Sequence, residues 1–346
     1  MGLSERKKKI LKAVVEENIK ANEPVSSQKI VDDYLQDVSS ATIRNELMAL
    51  EEMGLLYHPH TSSGRLPTPE GLRHYVEELM PTKKLSQKEL FQIKSSFDKR
   101  LSNLEDVIKS TAKTISDATN YASVVYTGLS DEAVVDNIQL FKVNDNLALI
   151  IVVTDVGVLK NLTMRCNLPE KELRHAGEVM TKIFSGRTLG EIEENDFKIS
   201  VAIDSYKEVF NEVIKIVLER DNDFRENFEV AGKENLLNYP EYQDINKFKN
   251  ALTVMNRQDI LQPLLESDGN VEVSIRIGGD KDSGLKDCSL VSAVYKINGK
   301  QVGSAGVIGP VRMDYAKAVS VLKSVAKSLE ENLNDFVKGD ENGQKE

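Results

Sequence analysis

From Ser39 to Leu66 the chain writes a helix with both ends marked, followed at once by two short apolar stretches around a turn-rich segment. That order leaves few ways to fold what surrounds it. Ser39 can cap a helix, and Ile43, Leu47 and Leu50, spaced four and three apart, give it one apolar stripe. Gly54 then stands where a left-handed residue ends a helix. Leu55-Leu56-Tyr57 reads as a strand and Arg65-Leu66 as its return, with His58-Pro59-His60-Thr61-Ser62-Ser63-Gly64 between them. Two helices precede this unit. One starts at Ser4, reaches about Asn18 and carries Ile10, Leu11, Val14 and Val15. The other follows Pro24, is capped by Ser26 and carries Ile30, Val31, Tyr34 and Leu35. Pro69 opens a last helix with Leu72, Tyr75, Val76 and Leu79 on one side.

Three helices closed by a hairpin predict a winged helix-turn-helix over residues 1–80. If the third helix buries Ile43, Leu47 and Leu50, then Ser39, Ser40, Ala41, Thr42, Arg44 and Asn45 face outward. Hydroxyls bond phosphates or bases, Arg suits guanine, Asn suits adenine, and a small Ala permits close approach. The wing would add His60, Thr61, Ser63 and Arg65, with Arg65 beside a flexible tip and placed to reach a phosphate or a narrow minor groove. The plainer reading of the same residues is that the hydroxyls only cap helices and Arg44 is a solvated charge. His58 and His60, among prolines and without a third ligand, do not make a metal site. The balance of charge is slightly unfavourable for a polyanion. The chain carries −10, and residues 1–80 hold ten Lys and Arg against thirteen Asp and Glu, or −3. What matters is clustering on one face, and Arg6, Lys7, Lys8, Lys9 and Lys12 do cluster. A domain with this balance is expected to bind DNA in pairs.

The remaining chain is long enough for one or two further domains. After Pro81-Thr82-Lys83-Lys84, a linker, a helical pattern runs from about Gln87 to Ala122 through Leu90, Ile93, Phe97, Leu101, Leu104, Ile108, Thr111 and Ile115. It reads as a core helix, with a part in dimer contacts as the alternative. Strands follow over Val135–Met164 and return at Val271–Ile277, Ser289–Ile297 and Gln301–Ile308, with Asn298-Gly299 as a hairpin turn. Residues 169–266 read mainly as helix, and a final helix runs from Val311 to Phe336. A strand set split by a helical block predicts an α+β domain with an insertion. The expected division is 1–80, 81–168, an inserted 169–266, 267–338 and a polar tail 339–346. No apolar run is long enough to span a membrane. Residues Ser4–Lys12 are too polar for a signal peptide, and Arg6 breaks a myristoylation motif. Cys166 and Cys288 are unpaired in spacing. A cytoplasmic chain is the expectation.

Other chemistry finds little support. Gly303, Gly306 and Gly309 do not match a phosphate loop, lacking the following Lys-Ser or Lys-Thr. The cysteines have no neighbouring His. Gly232-Lys233-Glu234-Asn235 reads as a capped turn sooner than as a catalytic Lys-Glu pair. Arg312 and Asp314 read as a structural salt bridge sooner than as an anion site. No enzyme and no cofactor are expected.

Several runs together resemble one known family. They are Ser39-Ser40-Ala41-Thr42-Ile43-Arg44-Asn45-Glu46 with Leu50-Glu51 and Gly54, and Pro59-His60-Thr61-Ser62-Ser63-Gly64-Arg65 with Pro67-Thr68. Later come Gly232-Lys233-Glu234-Asn235-Leu236-Leu237 with Pro240-Glu241, Asp287-Cys288-Ser289-Leu290-Val291, and Gly306-Val307-Ile308-Gly309-Pro310-Val311-Arg312-Met313-Asp314-Tyr315. Spread over the whole chain, they are similar to the HrcA family of heat-inducible transcription repressors of bacteria. The resemblance implies a winged-helix domain, a GAF-like domain and an inserted dimerising domain. It also implies a homodimer on an inverted-repeat DNA operator (CIRCE) upstream of chaperone operons, and the GroEL chaperonin as the partner that keeps the repressor active until heat shock. The alternative is a regulator whose GAF-like domain senses a small effector in a pocket lined by Ile138–Val153 and Ser289–Ile308.

Overall fold

The computed structural model describes residues 3–59, 64–97, 104–127, 133–155, 157–192, 206–218, 228–265, 272–278, 285–297 and 300–343. Its first unit runs α1 (Glu5–Ala21), α2 (Ser27–Asp33), α3 (Ser40–Glu52), β1 (Leu56–Tyr57), β2 (Leu66–Pro67) and α4 (Pro69–His74), which continues as a π-helical turn over Tyr75–Leu79. Side chains set the starts of these helices. Ser4, Ser26, Ser39 and Thr68 each accept a backbone N–H from the residue three positions on, at about 1 kcal/mol per cap. α3 ends where Gly54 takes φ +76°. Gly54 N–H donates to Glu51 C=O at 2.9 Å and Leu55 N–H to Leu50 C=O at 3.0 Å, the paired bonds of a Schellman stop. Ile10, Leu11, Val14, Ile30, Ile43, Leu50, Leu56, Leu72 and Tyr75 are buried together, at about 1.5–3 kcal/mol for each aliphatic side chain fully removed from water.

The second unit is a five-stranded antiparallel sheet in the order β7-β3-β10-β9-β8. Its strands are β3 (Ala122–Thr127), β7 (Phe228–Ala231), β8 (Val273–Arg276), β9 (Ser289–Ile297) and β10 (Lys300–Gly309). On one face, α5 (Gln87–Phe97), α6 (Leu104–Thr119) and α11 (Tyr315–Gly343) pack around Val125, Val291, Tyr295, Ala305 and Val307. On the other, α9 (Ile245–Asn256), α10 (Gln258–Leu265) and short 3₁₀ turns pack around Ala122, Val124, Leu290 and Ile308. The expected single helix over 87–122 is therefore two helices that fold back on each other, with residues 98–103 outside the described residues. Ile93, Phe97, Ile108, Thr111 and Ile115 are core, as their spacing predicts, while Leu90 is exposed.

The third unit is a separate antiparallel sheet, β4 (Val135–Asn144), β5 (Leu147–Thr154) and β6 (Gly157–Arg165), backed by α7 (Glu170–Phe184) and α8 (Lys207–Leu218). Here the topology corrects the sequence reading, which gives 81–168 to the main domain and 169–266 to the insert. The excursion leaves the main sheet after β3 and returns at β7. It takes strands β4–β6 with it, whereas α9 and α10 belong to the main sheet's second face. Alternation shows that a strand exists but not which sheet it joins. These three strands are consecutive and pair in sequence order, so they close locally.

Candidate nucleic-acid interface

The start of α3 is pinned from inside. Ser39 Oγ accepts Thr42 N–H at 3.2 Å and lies 2.9 Å from Thr42 Oγ1, and Ser40 Oγ lies 3.0 Å from Ser27 Oγ at the start of α2. These hydroxyls fix how α2 and α3 meet, so Ser40 and Thr42 are half-buried and Ser39 stays exposed as a cap. With Ile43, Leu47 and Leu50 buried, the outward face is Ala41, Arg44 and Asn45, all exposed. Arg44 has no ion-pair partner among the described residues. One turn on, Met48 extends the same face and is 47% exposed. The sequence reading omits it, although its position four after Arg44 is the signal that places it there.

The basic start of α1 lies against this helix. Lys7 Nζ is 2.7 Å and Arg6 3.6 Å from the Glu46 carboxylate, which sits on the flank of α3. Glu46 thus neutralises part of the cluster that the sequence sets aside for a polyanion. Lys9 is exposed and has no ion-pair partner among the described residues. Behind α2, the nearly buried Glu17 accepts from Lys20 Nζ at 2.8 Å and Tyr34 Oη at 2.7 Å, and pairs with Lys29 Nζ at 2.9 Å. These donors, Lys20 foremost, hold its carboxyl well below the usual range, at about 2.

The hairpin departs from expectation at Arg65. Its backbone pairs with Val25, N–H to C=O at 2.9 Å in both directions, an isolated bridge that ties the α1–α2 connection to the hairpin. Its side chain turns inward. It is 15% exposed and lies 2.8 Å from the Glu51 carboxylate at the end of α3, and its Nε is buried without a hydrogen-bond partner among the described residues. Gly64 is a seat here, where the sequence reading expects part of a flexible tip. A Cβ there would stand 2.2 Å from Val25 O and 2.8 Å from Ser26 N. His60, Thr61 and Ser63 lie outside the described residues.

The remaining motifs resolve into architecture. Lys233 reaches Asn256 Oδ1 at 2.7 Å, away from Glu234, and Asn235 donates to Ser116 Oγ at 2.9 Å, bracing the end of α6. Cys288 is buried and its thiol is pushed up to about 12, by burial first and then by Asp287. Such a thiol is not a nucleophile at neutral pH. Ile138–Val153 and Ser289–Ile308, the expected lining of an effector pocket, fall in different sheets.

A family model described as the HrcA protein C-terminal domain matches residues 105–319. The chain is 34% identical to the heat-inducible transcription repressor HrcA of Pelotomaculum thermopropionicum, over 98% of this chain and 99% of that one. The chain belongs to the HrcA family. Its counterparts in Natranaerobius thermophilus and Clostridioides difficile carry the same name at 36% and 35% identity, covering 95% and 93% of this chain and 96% and 97% of theirs. The family is thus one of heat-inducible transcription repressors, and the described helices include none long and apolar enough to cross a membrane. A crystal structure titled only as a hypothetical protein shares the fold, with a TM-score of 0.61 at 23% identity over 96% of this chain and 99% of that one.

Proposed function

We propose that residues 1–80 form a winged helix-turn-helix, that α3 is its recognition helix, and that a homodimer of the chain represses chaperone operons by binding the inverted-repeat CIRCE operator. Heat shock relieves the repression, and GroEL maintains the active form. The operator, GroEL and the heat response rest on the family. The observation that supports the DNA reading is the outward face of α3, where Arg44 stands exposed, without an ion-pair partner among the described residues, beside Ala41, Asn45 and Met48. A helix that buries one stripe and leaves such a face free fits a major groove. Arg44→Ala is expected to lower affinity for the operator by roughly 10- to 100-fold, the worth of one lost bidentate base contact, with thermal stability unchanged. Wild-type affinity in a gel shift would remove α3 from the base contacts.

The dimer is best placed on the sheet β4–β6, within the corrected insertion. α7 and α8 cover one face of this sheet. Its other face carries Leu149, Ile151 and Val153, half-buried, with Phe141 49% and Val143 55% exposed. An open apolar sheet face of this kind marks an association surface. Ile151→Glu is expected to convert the dimer to monomer in sedimentation, with the fold retained. A dimer unaffected by that change would place the interface elsewhere.

A further inference from the structure

Two family-like runs that lie far apart in sequence, Pro240-Glu241 and Arg312–Tyr315, meet at one guanidinium. Arg312 stands between β10 and α11, with its side chain 12% exposed. Its Nε donates to Glu241 Oε1 at 2.5 Å and its Nη2 to Glu241 Oε2 at 3.3 Å. Its Nη1 donates to the Ile19 carbonyl at 2.9 Å. That carbonyl belongs to the last turn of α1, where the helix leaves its C=O groups without internal partners and where its dipole favours a cation. Arg312 therefore ties three pieces together: the N-terminal unit, the start of α11 and the Pro240–Gln243 turn.

A second attachment lies close by. Lys83, in the connection that leaves the N-terminal unit, pairs with Asp314 at 2.7 Å, and its carbonyl accepts from Ser320 Oγ at 2.5 Å. Asp314 is itself held, because its N–H donates to Tyr121 Oη at 3.0 Å and its carboxylate accepts Lys317 N–H at 2.9 Å. A unit held at one point can swing about it. A unit held at both the end of α1 and its exit cannot. A guanidinium suits the first position, because its fork can bind a carboxylate with two nitrogens and keep a third for the carbonyl. A lysine offers a single point charge and lacks that geometry.

We propose that Arg312 is a positioning residue for operator binding: by clamping α1 to Glu241 it fixes the angle at which α3 is presented, and so sets the half-site spacing that the dimer accepts. An inverted repeat demands two recognition helices at one separation and direction. A swinging unit would have to be ordered on binding, at a cost in affinity. The inference rests on the reading of α3 as a DNA-binding helix in a dimer.

The test uses the full-length chain with three sets of duplexes: a single CIRCE half-site, the whole inverted repeat, and repeats with the spacer lengthened or shortened by a few base pairs. Wild type is expected to favour one spacing. Arg312→Ala should keep the half-site affinity, lose about ten-fold on the whole repeat through lost preorganisation, and bind the altered spacings almost as well as the natural one. Arg312→Lys and Glu241→Gln, which disturb the fold less, should flatten the spacing profile partway. An unchanged profile in all three variants would overturn the proposal. So would an equal loss on the half-site and the whole repeat, which would mark a merely structural role or a direct contact. A wild-type chain that binds neither half-site nor repeat would overturn the underlying DNA reading as well.

Discussion

Two arginines of the same small unit have opposite circumstances. Arg44 stands on the outer face of α3, exposed and without an ion-pair partner among the described residues. Arg65, at the return of the hairpin, is folded inward onto Glu51 at the far end of the same helix. Sequence logic turns both toward DNA, Arg44 to a base edge and Arg65 to a phosphate or a narrow minor groove. The structure separates them by what else is near. Among the described residues no carboxylate pairs with Arg44, whereas the Gly64 and Val25 backbones hold Arg65 against the end of α3. A cation in such a unit is available to a phosphate only if its own fold does not use it first.

The contrast can be broken or sharpened in order of effect. Gly64→Ala should do the most damage. A Cβ meets backbone at 2.2 Å, so the hairpin must lift from Val25, at about 3 kcal/mol, and unfolding of the N-terminal unit should shift accordingly. An unchanged melting curve would show that the Arg65 side is not seated as described. Glu17→Gln should cost about 2 kcal/mol, the worth of hydrogen bonds to a charged group. The sign of its pH dependence follows from the direction of its shift. The carboxyl titrates lower in the folded chain than in the unfolded one. Its stabilisation is thus complete above about 4.5 and fades as pH falls toward 2. Acid titration of the variant should lack this component, and the same acid slope in both proteins would rule Glu17 out. Arg65→Ala should cost only about 1 kcal/mol, since its partner Glu51 is one-third exposed. It should leave the salt slope of DNA binding unchanged, because Arg65 is not counted among the phosphate contacts. A slope lowered by about one would restore Arg65 to the phosphate and erase its contrast with Arg44.

Legibility in the sequence followed the range of the interactions. The starts of the N-terminal helices could be read to the residue because their caps lie within three or four positions, while α1 runs on to Ala21 past the expected Asn18 and α2 stops at Asp33 short of Leu35. Ser39 with Thr42 and Gly54 with Glu51 are local facts. β3 was missed for the same reason in reverse. Its run Ala122–Thr127 follows α6 directly, and the one local sign of a break is Asn120 at φ 60°. What makes the run a strand is β10, which pairs Val307 with Ser123 and Ala305 with Val125. The four residues of β7 carry too little pattern to stand apart from the helices around them. At the interface, the outward face of α3 followed from the stripe that it buries. The inward turn of Arg65 and the meeting of Arg312 with Glu241 and Ile19 depend on contacts between segments that no spacing rule connects.

The strand order has a consequence in time. Both neighbours of β3 come later in the chain: β7 begins at Phe228, and β10 is complete only at Gly309. At ordinary rates of synthesis a ribosome needs roughly ten to forty seconds to travel from the end of β3 to the end of β10. Through that interval Val124 and Val125 lack at least one of their two neighbouring strands, both of them until β7 is made, while the N-terminal unit can already fold from its own residues. Each new molecule thus carries its finished head well before the sheet to which it is tied, and β3 crosses that gap with its pairing incomplete.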